Sequence, residues 1–281
     1  MRLAFQPWPW LATLPAASGY GSDTNSPTIS GSPPYAEPYI GGTYGGYLGR
    51  IGTWLELFGC PEASYMNVTD VKGANTNFYN YHGGVGTGVY WDMAGPGLDP
   101  KFDGTTGEAY TWGEEQAQQA QYDLKNFLYP TPFAVMWMDI ESDGGWNHVY
   151  KENSNPTCTW SLQSTGIADE VDRYTFDGFW DWISHNTSGY PGAYSYPDFW
   201  GPTFGSYGTI LGTYEWTSQA QTSLTPGPSG WCEGGTCAQF FGGQSSSSSH
   251  AVAWQWCITA ADCASYGDFD QIDANNLPTG F

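Results

Sequence analysis

Residues 134–146 read AVMWMDIESDGGW, an apolar run that ends on Asp139, Glu141 and Asp143. In an extended strand alternate side chains share a face, so Val135, Trp137, Asp139 and Glu141 fall on one side and Met136, Met138 and Ile140 on the other. Two residues along a strand place the Cα atoms of Asp139 and Glu141 roughly 6.6 Å apart. Two carboxyl groups at that range, in a cleft walled by Trp137 or Trp146, do not both ionise readily, so one keeps a proton while the other stays charged. That division suits cleavage of a glycosidic bond, which needs a proton for the leaving oxygen and a negative charge or nucleophile for the oxocarbenium-like transition state. The competing reading is that the same acids cap the next helix or face solvent.

A scaffold has to deliver this strand end. Thr111–Leu128 carries apolar residues three to five apart, with Thr111 and Glu114 spaced as a capping box and Pro130 and Pro132 barring continuation. The chain then enters Phe133–Glu141, and before the helix lies the apolar run 84–93, GVGTGVYWDM, which also ends on an acid, Asp92. Strand, helix and strand in that order predict a parallel crossover, whose sites lie at the C-terminal strand ends. A second helix is predicted over Ile167–Ser184, with Asp169 and Glu170 near its start. Further strands are read at 40–50, 191–196, 209–216 and 251–256, and the last third is poor in helical patterns. Residues 1–39, rich in Pro, Ser and Gly, read as an extended arm laid over a single domain spanning 40–281. The first residues make a poor export signal and no membrane span, because Gln6, Pro7, Pro9 and Pro15 interrupt their apolar stretch.

Seven basic residues against 28 acidic ones give a net charge of -21 over 281 residues, which repels a phosphate backbone and argues against nucleic acid as a partner. Six cysteines, Cys60, Cys158, Cys232, Cys237, Cys257 and Cys263, are an even count that admits 15 pairings. The favoured set joins 232 to 237 and 257 to 263, which leaves Cys60 for Cys158; structural zinc is the weaker reading because the spacings are looser than two-residue knuckles. Disulfides point to an extracellular protein. The chain also holds 15 Trp and 20 Tyr, residues whose flat faces stack on sugar rings. Tyr90, Trp146, Tyr194, Tyr196 and Trp216 lie near predicted strand ends and are the candidate sugar subsites, with Asp92 and Gln255 as polar partners. His148 and His185 are read as structural.

In their order along the chain these motifs resemble glycoside hydrolase family 25, the lysozyme-like superfamily. MWMDIE is similar to that family's Asp-x-Glu strand, and AVAWQW followed by DFDQID is similar to its closing Trp-Gln-aromatic strand and terminal Asp motif. A nearer likeness is to secreted bacterial barrels of the same superfamily, carried by YTWG (110–113), AYSY (193–196) and CAQFFGG (237–243). The resemblance implies an irregular β/α barrel of TIM-like type whose last strands lack full helices. It assigns Glu141 as general acid, Asp139 as the group that stabilises the charged intermediate and Asp270 as a distal acid, with Asp273 as second choice. It also implies an Asp on the first strand, which GGTYGGYLGR lacks, and Asp92 is the candidate substitute.

The expected function is therefore a secreted glycoside hydrolase acting on a polysaccharide, of which one containing amino sugars is a candidate, with no cofactor. The alternative is a non-catalytic carbohydrate-binding or cell-surface barrel. A third reading takes Asp268, Asp270 and Asp273 as ligands of a hard cation, although their spacing lacks a calcium loop's regularity.

Overall fold

The computed structural model describes residues 19–24, 44–60, 87–127, 133–142, 144–154, 158–208, 210, 212–218, 250–257 and 268–272. Within them eight strands close into a barrel: β1 (Gly19–Thr24), β2 (Tyr44–Thr53), β3 (Thr87–Asp92), β4 (Phe133–Asp139), β7 (Tyr190–Ser195), β8 (Tyr214–Ser218), β9 (His250–Cys257) and β10 (Asp268–Ile272), ordered β1-β10-β9-β8-β7-β4-β3-β2. Pairing is parallel except at β10, which runs antiparallel to both β9 and β1. The remaining two strands, β5 (His148–Ser154) and β6 (Thr159–Thr165), form a separate antiparallel hairpin between β4 and the next helix.

Two helices cover the β3–β4–β7 side. Helix α1 (Thr106–Phe127) makes the crossover from β3 to β4, and α2 (Asp169–Asn186) leads from the hairpin to β7. A short α3 (Pro197–Phe204), opened by Pro at its first turn, follows β7 and was not expected from the sequence. The two long helices lie where the periodicity places them, but α1 starts earlier than the Thr111 cap predicts. Its cap is Thr105, whose hydroxyl accepts the Glu108 N–H at 3.2 Å, so the same Thr-x-x-Glu spacing occurs six residues upstream. Thr111 is inside the helix, its hydroxyl donating to the Gly107 carbonyl at 3.1 Å.

The alternation of β4 divides the core in two, as the sequence predicts. Met136, Met138 and Ile140 join Val89, Trp91 and Met93 of the β3 region in an outer layer against Ala117, Ala120 and Leu124 of α1 and Phe176, Phe179 and Ile183 of α2. Val135 and Trp137 point inward and pack with Tyr90, Tyr194, Trp216, Val252 and Ala253 inside the barrel. Gly192 on β7 makes room for this filling, because a Cβ there would sit 2.5 Å from the Trp137 ring.

Two expectations need correction. The stretch read as an arm contains the barrel's first strand: Gly19–Thr24 pairs with β2 and β10. Its sequence, GYGSDT, has no apolar alternation, so nothing local marks it. The strand read at 40–50 is the second one, β2. The chain is a mixed α/β barrel with a mostly parallel sheet; among the described residues long helices follow only β3 and the hairpin beyond β4, and β10 is reversed.

Cys60 and Cys158 form a disulfide across a sequence separation of 98, tying the segment after β2 to the residue just before β6 of the hairpin. Trp160 of the hairpin packs on Trp54 and Phe58 beside it, with ring centroids 4.9 and 5.4 Å apart. Cys232, Cys237 and Cys263 lie outside the described residues. Replacing Cys60 and Cys158 together by Ser is expected to lower unfolding free energy by about 2–5 kcal/mol, read by urea titration, because so long a loop is costly to close without the bond.

Candidate active site

The C-terminal ends of β2, β3, β4, β7, β8 and β9 share one rim. In parallel register Tyr90, Trp137, Gly192 and Tyr214 form one rung of the interior, and Asp92, Asp139, Tyr194 and Trp216 form the rung above it. The lower rung and Trp216 make an aromatic floor: Trp216 stands 6.0 Å from Tyr90, 5.8 Å from Trp137 and 4.4 Å from Tyr194, centroid to centroid. Above this floor the side chains turn polar. Asp139 is half-buried and Glu141, beyond the strand end, is exposed.

The backbone that carries the two acids is held on both flanks. Met93 N–H donates to the Asp139 carbonyl at 3.0 Å, Ile140 N–H to the Tyr194 carbonyl at 3.0 Å, and the Ser195 hydroxyl to the Ile140 carbonyl at 2.9 Å. The loops after β3 and β4 are zipped together by Gly95 N–H to Gly144 O at 2.6 Å and Gly97 N–H to Gly145 O at 3.2 Å. Helix α1 pins the first of these loops: the Gln116 amide donates to and accepts from the Ala94 backbone at 2.8 Å each way, and Trp112 Nε1 donates to Gly95 O at 3.0 Å. Helix α2 pins the second through buried Asp172, whose Oδ2 accepts the N–H of Asn147 at 3.1 Å. Burial, helped by the charge of Asp169 and opposed by that N–H, pushes the Asp172 carboxyl up to about 8.

Asp92 is engaged. Its Oδ2 accepts from Arg50 Nη2 at 2.8 Å and from the Thr53 hydroxyl at 2.9 Å. Glu56, just beyond β2, is lifted above the usual carboxylate range by burial, against hydrogen bonds with Asp123, the Thr53 backbone and Gln119 and the charge of Arg50. On the far side of the barrel the Tyr194 hydroxyl donates to Gln255 Oε1 at 2.5 Å.

Of the residues singled out in the sequence, Asp92, Asp139, Tyr194 and Trp216 share one rung, and Tyr90 lies one rung below. Asp270 stands on β10 opposite Gln255 of β9 and Gly21 of β1. Tyr196, half-buried after β7, stacks near Phe199 at 5.5 Å. Trp146 is a correction: it is fully buried in the outer core against Phe204, and offers no face to a ligand. Tyr90, Tyr194 and Trp216 are likewise buried, as the floor of the site and not as open platforms. His148 and His185 bond backbone carbonyls of Trp146 and Asp181 through Nδ1 at 2.8 and 2.7 Å, in keeping with structural roles.

Three residues escaped the sequence reading. Arg50 and Thr53 lie in a glycine-laden strand some forty residues from the acid they bind, with no local signal beyond Arg50 being one of seven bases. Asp23 lies next to last in β1, the true first strand. It pairs with Leu48 of β2 and Asp268 of β10.

No protein-family model matches the chain, and no curated protein does. Among solved structures the chain is similar to the spore cortex lytic enzyme SleM of Clostridium perfringens, with a TM-score of 0.54 at 13% identity over 94% of this chain and 70% of that one. The chain shares the fold of that enzyme. Similarity at lower TM-scores extends to a family GH25 lysozyme from Aspergillus fumigatus (0.49, 15% identity, 91% and 94% of the two chains) and to a bacterial lysozyme from Streptomyces coelicolor (0.48, 15% identity, 92% and 93%). The likeness is one of fold, and the identities leave activity to be argued from the site.

Proposed function

We propose that this lysozyme-like barrel is a secreted glycoside hydrolase that cleaves a cell-wall polysaccharide containing amino sugars. The observation that carries the reading is the pair Asp139 and Glu141 at the C-terminal end of a parallel strand whose backbone is bonded on both flanks, above a floor of buried aromatic rings. Glu141, exposed at the rim, protonates the leaving oxygen, and Asp139, half-buried beside Asp92, holds negative charge against the oxocarbenium-like transition state. Asp270 on β10 and Asp23 on β1 are the distal acids in this scheme. Fixed strand backbones suit this chemistry because misplacement of a catalytic group by about 1 Å costs roughly a hundredfold in rate. The name of SleM, a spore cortex lytic enzyme, supports a cell-wall substrate, and the Cys60–Cys158 disulfide supports an extracellular location.

The test is release of reducing ends from a panel of peptidoglycan, chitin and neutral glucans. Glu141→Gln is expected to lower kcat/KM by about 10²–10⁴-fold on the substrate that the wild type cleaves, with an unchanged melting temperature. Full activity in that variant removes Glu141 from the mechanism; glycan binding with no turnover by the wild type overturns the hydrolase reading.

A further inference from the structure

Strand β4 ends at Asp139, and the next two residues, Ile140 and Glu141, lie beyond its paired register with β7. Their backbone is still tied at each peptide unit. The unit from Asp139 to Ile140 is held from both flanks: its carbonyl accepts the Met93 N–H and its N–H donates to the Tyr194 carbonyl, each at 3.0 Å. The unit after Glu141 is closed by its own turn, where the Glu141 carbonyl accepts the Gly144 N–H at 3.3 Å. Between them lies the unit from Ile140 to Glu141. Here the donor is a side chain, the Ser195 hydroxyl, at 2.9 Å from the Ile140 carbonyl oxygen.

That middle unit is the one that delivers Glu141. A peptide is planar, so the Ile140 carbonyl and the Cα of Glu141 belong to one rigid plate, and fixing the oxygen fixes where that Cα goes. The register of β4 with β7 runs out at Asp139 and Tyr194, β7 ends one residue later at Ser195, and the chain enters α3 at Pro197. The hydroxyl carries the tie between the two strands one step further. It does so from behind the site: Ala193 lies in the outer core and Tyr194 inside the barrel, so alternation turns Ser195 outward, to the side where Ile140 packs. Ser195 and Ile140 are both fully buried, so water does not compete for the bond.

We propose that Ser195 is a positioning residue that aims Glu141 by clamping the Ile140–Glu141 peptide from the dry side of the barrel, without touching substrate. Its catalytic purpose rests on the hydrolase reading, but the clamp itself can be measured without turnover.

The test is Ser195→Ala, which removes one oxygen and adds no bulk. In the whole protein the backbone order parameter at Glu141, from nitrogen-15 relaxation, is expected to fall from a rigid value of about 0.85 toward about 0.6, while Ile140, still held through its N–H, keeps its own. An order parameter at Glu141 that is the same in both proteins overturns the proposal. If Ser195→Ala does not fold, Ser195→Cys, a weak donor of similar shape, carries the same measurements. On peptidoglycan, kcat is expected to fall by up to about a hundredfold with KM little changed, because an acid displaced by about 1 Å leaves binding intact and misses the leaving oxygen. On a dinitrophenyl glycoside of an N-acetylglucosamine oligomer, whose phenolate departs without a proton, the variant is expected to run close to the wild-type rate. Equal losses on the two substrates would make Ser195 a structural residue only and overturn its role in aiming the acid. A wild type that cleaves neither substrate, with the Glu141 order parameter still falling in the variant, counts against the hydrolase reading and leaves the clamp standing.

Discussion

Gly178→Ala is expected to lower the unfolding free energy by about 3 kcal/mol or more, and Gly113→Ala to do the same. In isolation each substitution favours a helix, since Ala is better than Gly by about 1 kcal/mol in a helix interior. Packing reverses the sign. A Cβ on Gly178 of α2 would lie 2.0 Å from the Tyr110 carbonyl oxygen of α1, and one on Gly113 of α1 would lie 2.0 Å from the Thr175 carbonyl oxygen of α2. Both obstacles are backbone atoms that no rotamer change can clear, so the helices must separate by more than an ångström. Separation opens the outer core over Met136, Met138 and Ile140, loosens the Tyr110–Asp181 bond of 2.8 Å, and frees the two loops that α1 and α2 pin. Gly107→Ala is the control: in the first turn of α1 its Cβ would meet nothing closer than the Thr105 hydroxyl at 3.9 Å, and it is expected to be neutral or stabilising. Urea unfolding of the three variants decides the matter; equal stability of Gly178→Ala and wild type would mean that the helices do not touch.

The second large effect is a loss of stability on the alkaline side. Asp172 is buried with its carboxyl raised to about 8, and Asp99, raised to about 6 by burial, acts in the same direction. A carboxyl whose folded value exceeds its unfolded one contributes stability that is fully present below the unfolded value, near pH 4, and is lost as pH rises through the folded value. Stability should therefore fall between about pH 4 and pH 9, by several kcal/mol if Asp172 behaves as its burial dictates. Asp172→Asn keeps an oxygen for the Asn147 N–H and carries no charge. It is expected to remove most of the slope and to raise the melting temperature at pH 8.5, with little change at pH 4.5. Melting curves across that range check this, and a wild-type profile that is flat or rises with pH would show that Asp172 is charged in the folded protein.

The parts of the fold legible in the sequence were those where one periodicity acts alone. Strand β4 alternates between an aromatic interior and a methionine-rich exterior, and α2 repeats its apolar residues at helical spacing, so both were placed from local pattern. The hairpin His148–Ser154 and Thr159–Thr165 was missed because most of its residues are polar or exposed and its hold on the barrel is the disulfide and the Trp160 contacts. Strand β1 was missed for a related reason: GYGSDT is a strand because β2 and β10 flank it, and its backbone hydrogen bonds depend on neighbours remote in sequence. The placement of α1 shows a finer limit. Thr105/Glu108 and Thr111/Glu114 offer the same capping chemistry, and the chain uses the upstream pair, where Asp103 also fixes the Thr105 hydroxyl at 2.6 Å.

At the site, Asp139 and Glu141 could be read from thirteen residues, because their spacing, their apolar approach and the strand period are all local. Their surroundings could not. Arg50 meets Asp92 only because a one-residue irregularity in β2 turns two side chains to one face, and Asp92 meets Asp139 only because a 22-residue helix returns the chain to the adjacent strand in register. Local spacing settles which groups exist and which way a strand offers them; register, bulges and barrel closure settle which charges become neighbours. Those are relations between strands, set by hydrogen bonds and packing across tens of residues, and no short stretch of sequence contains them.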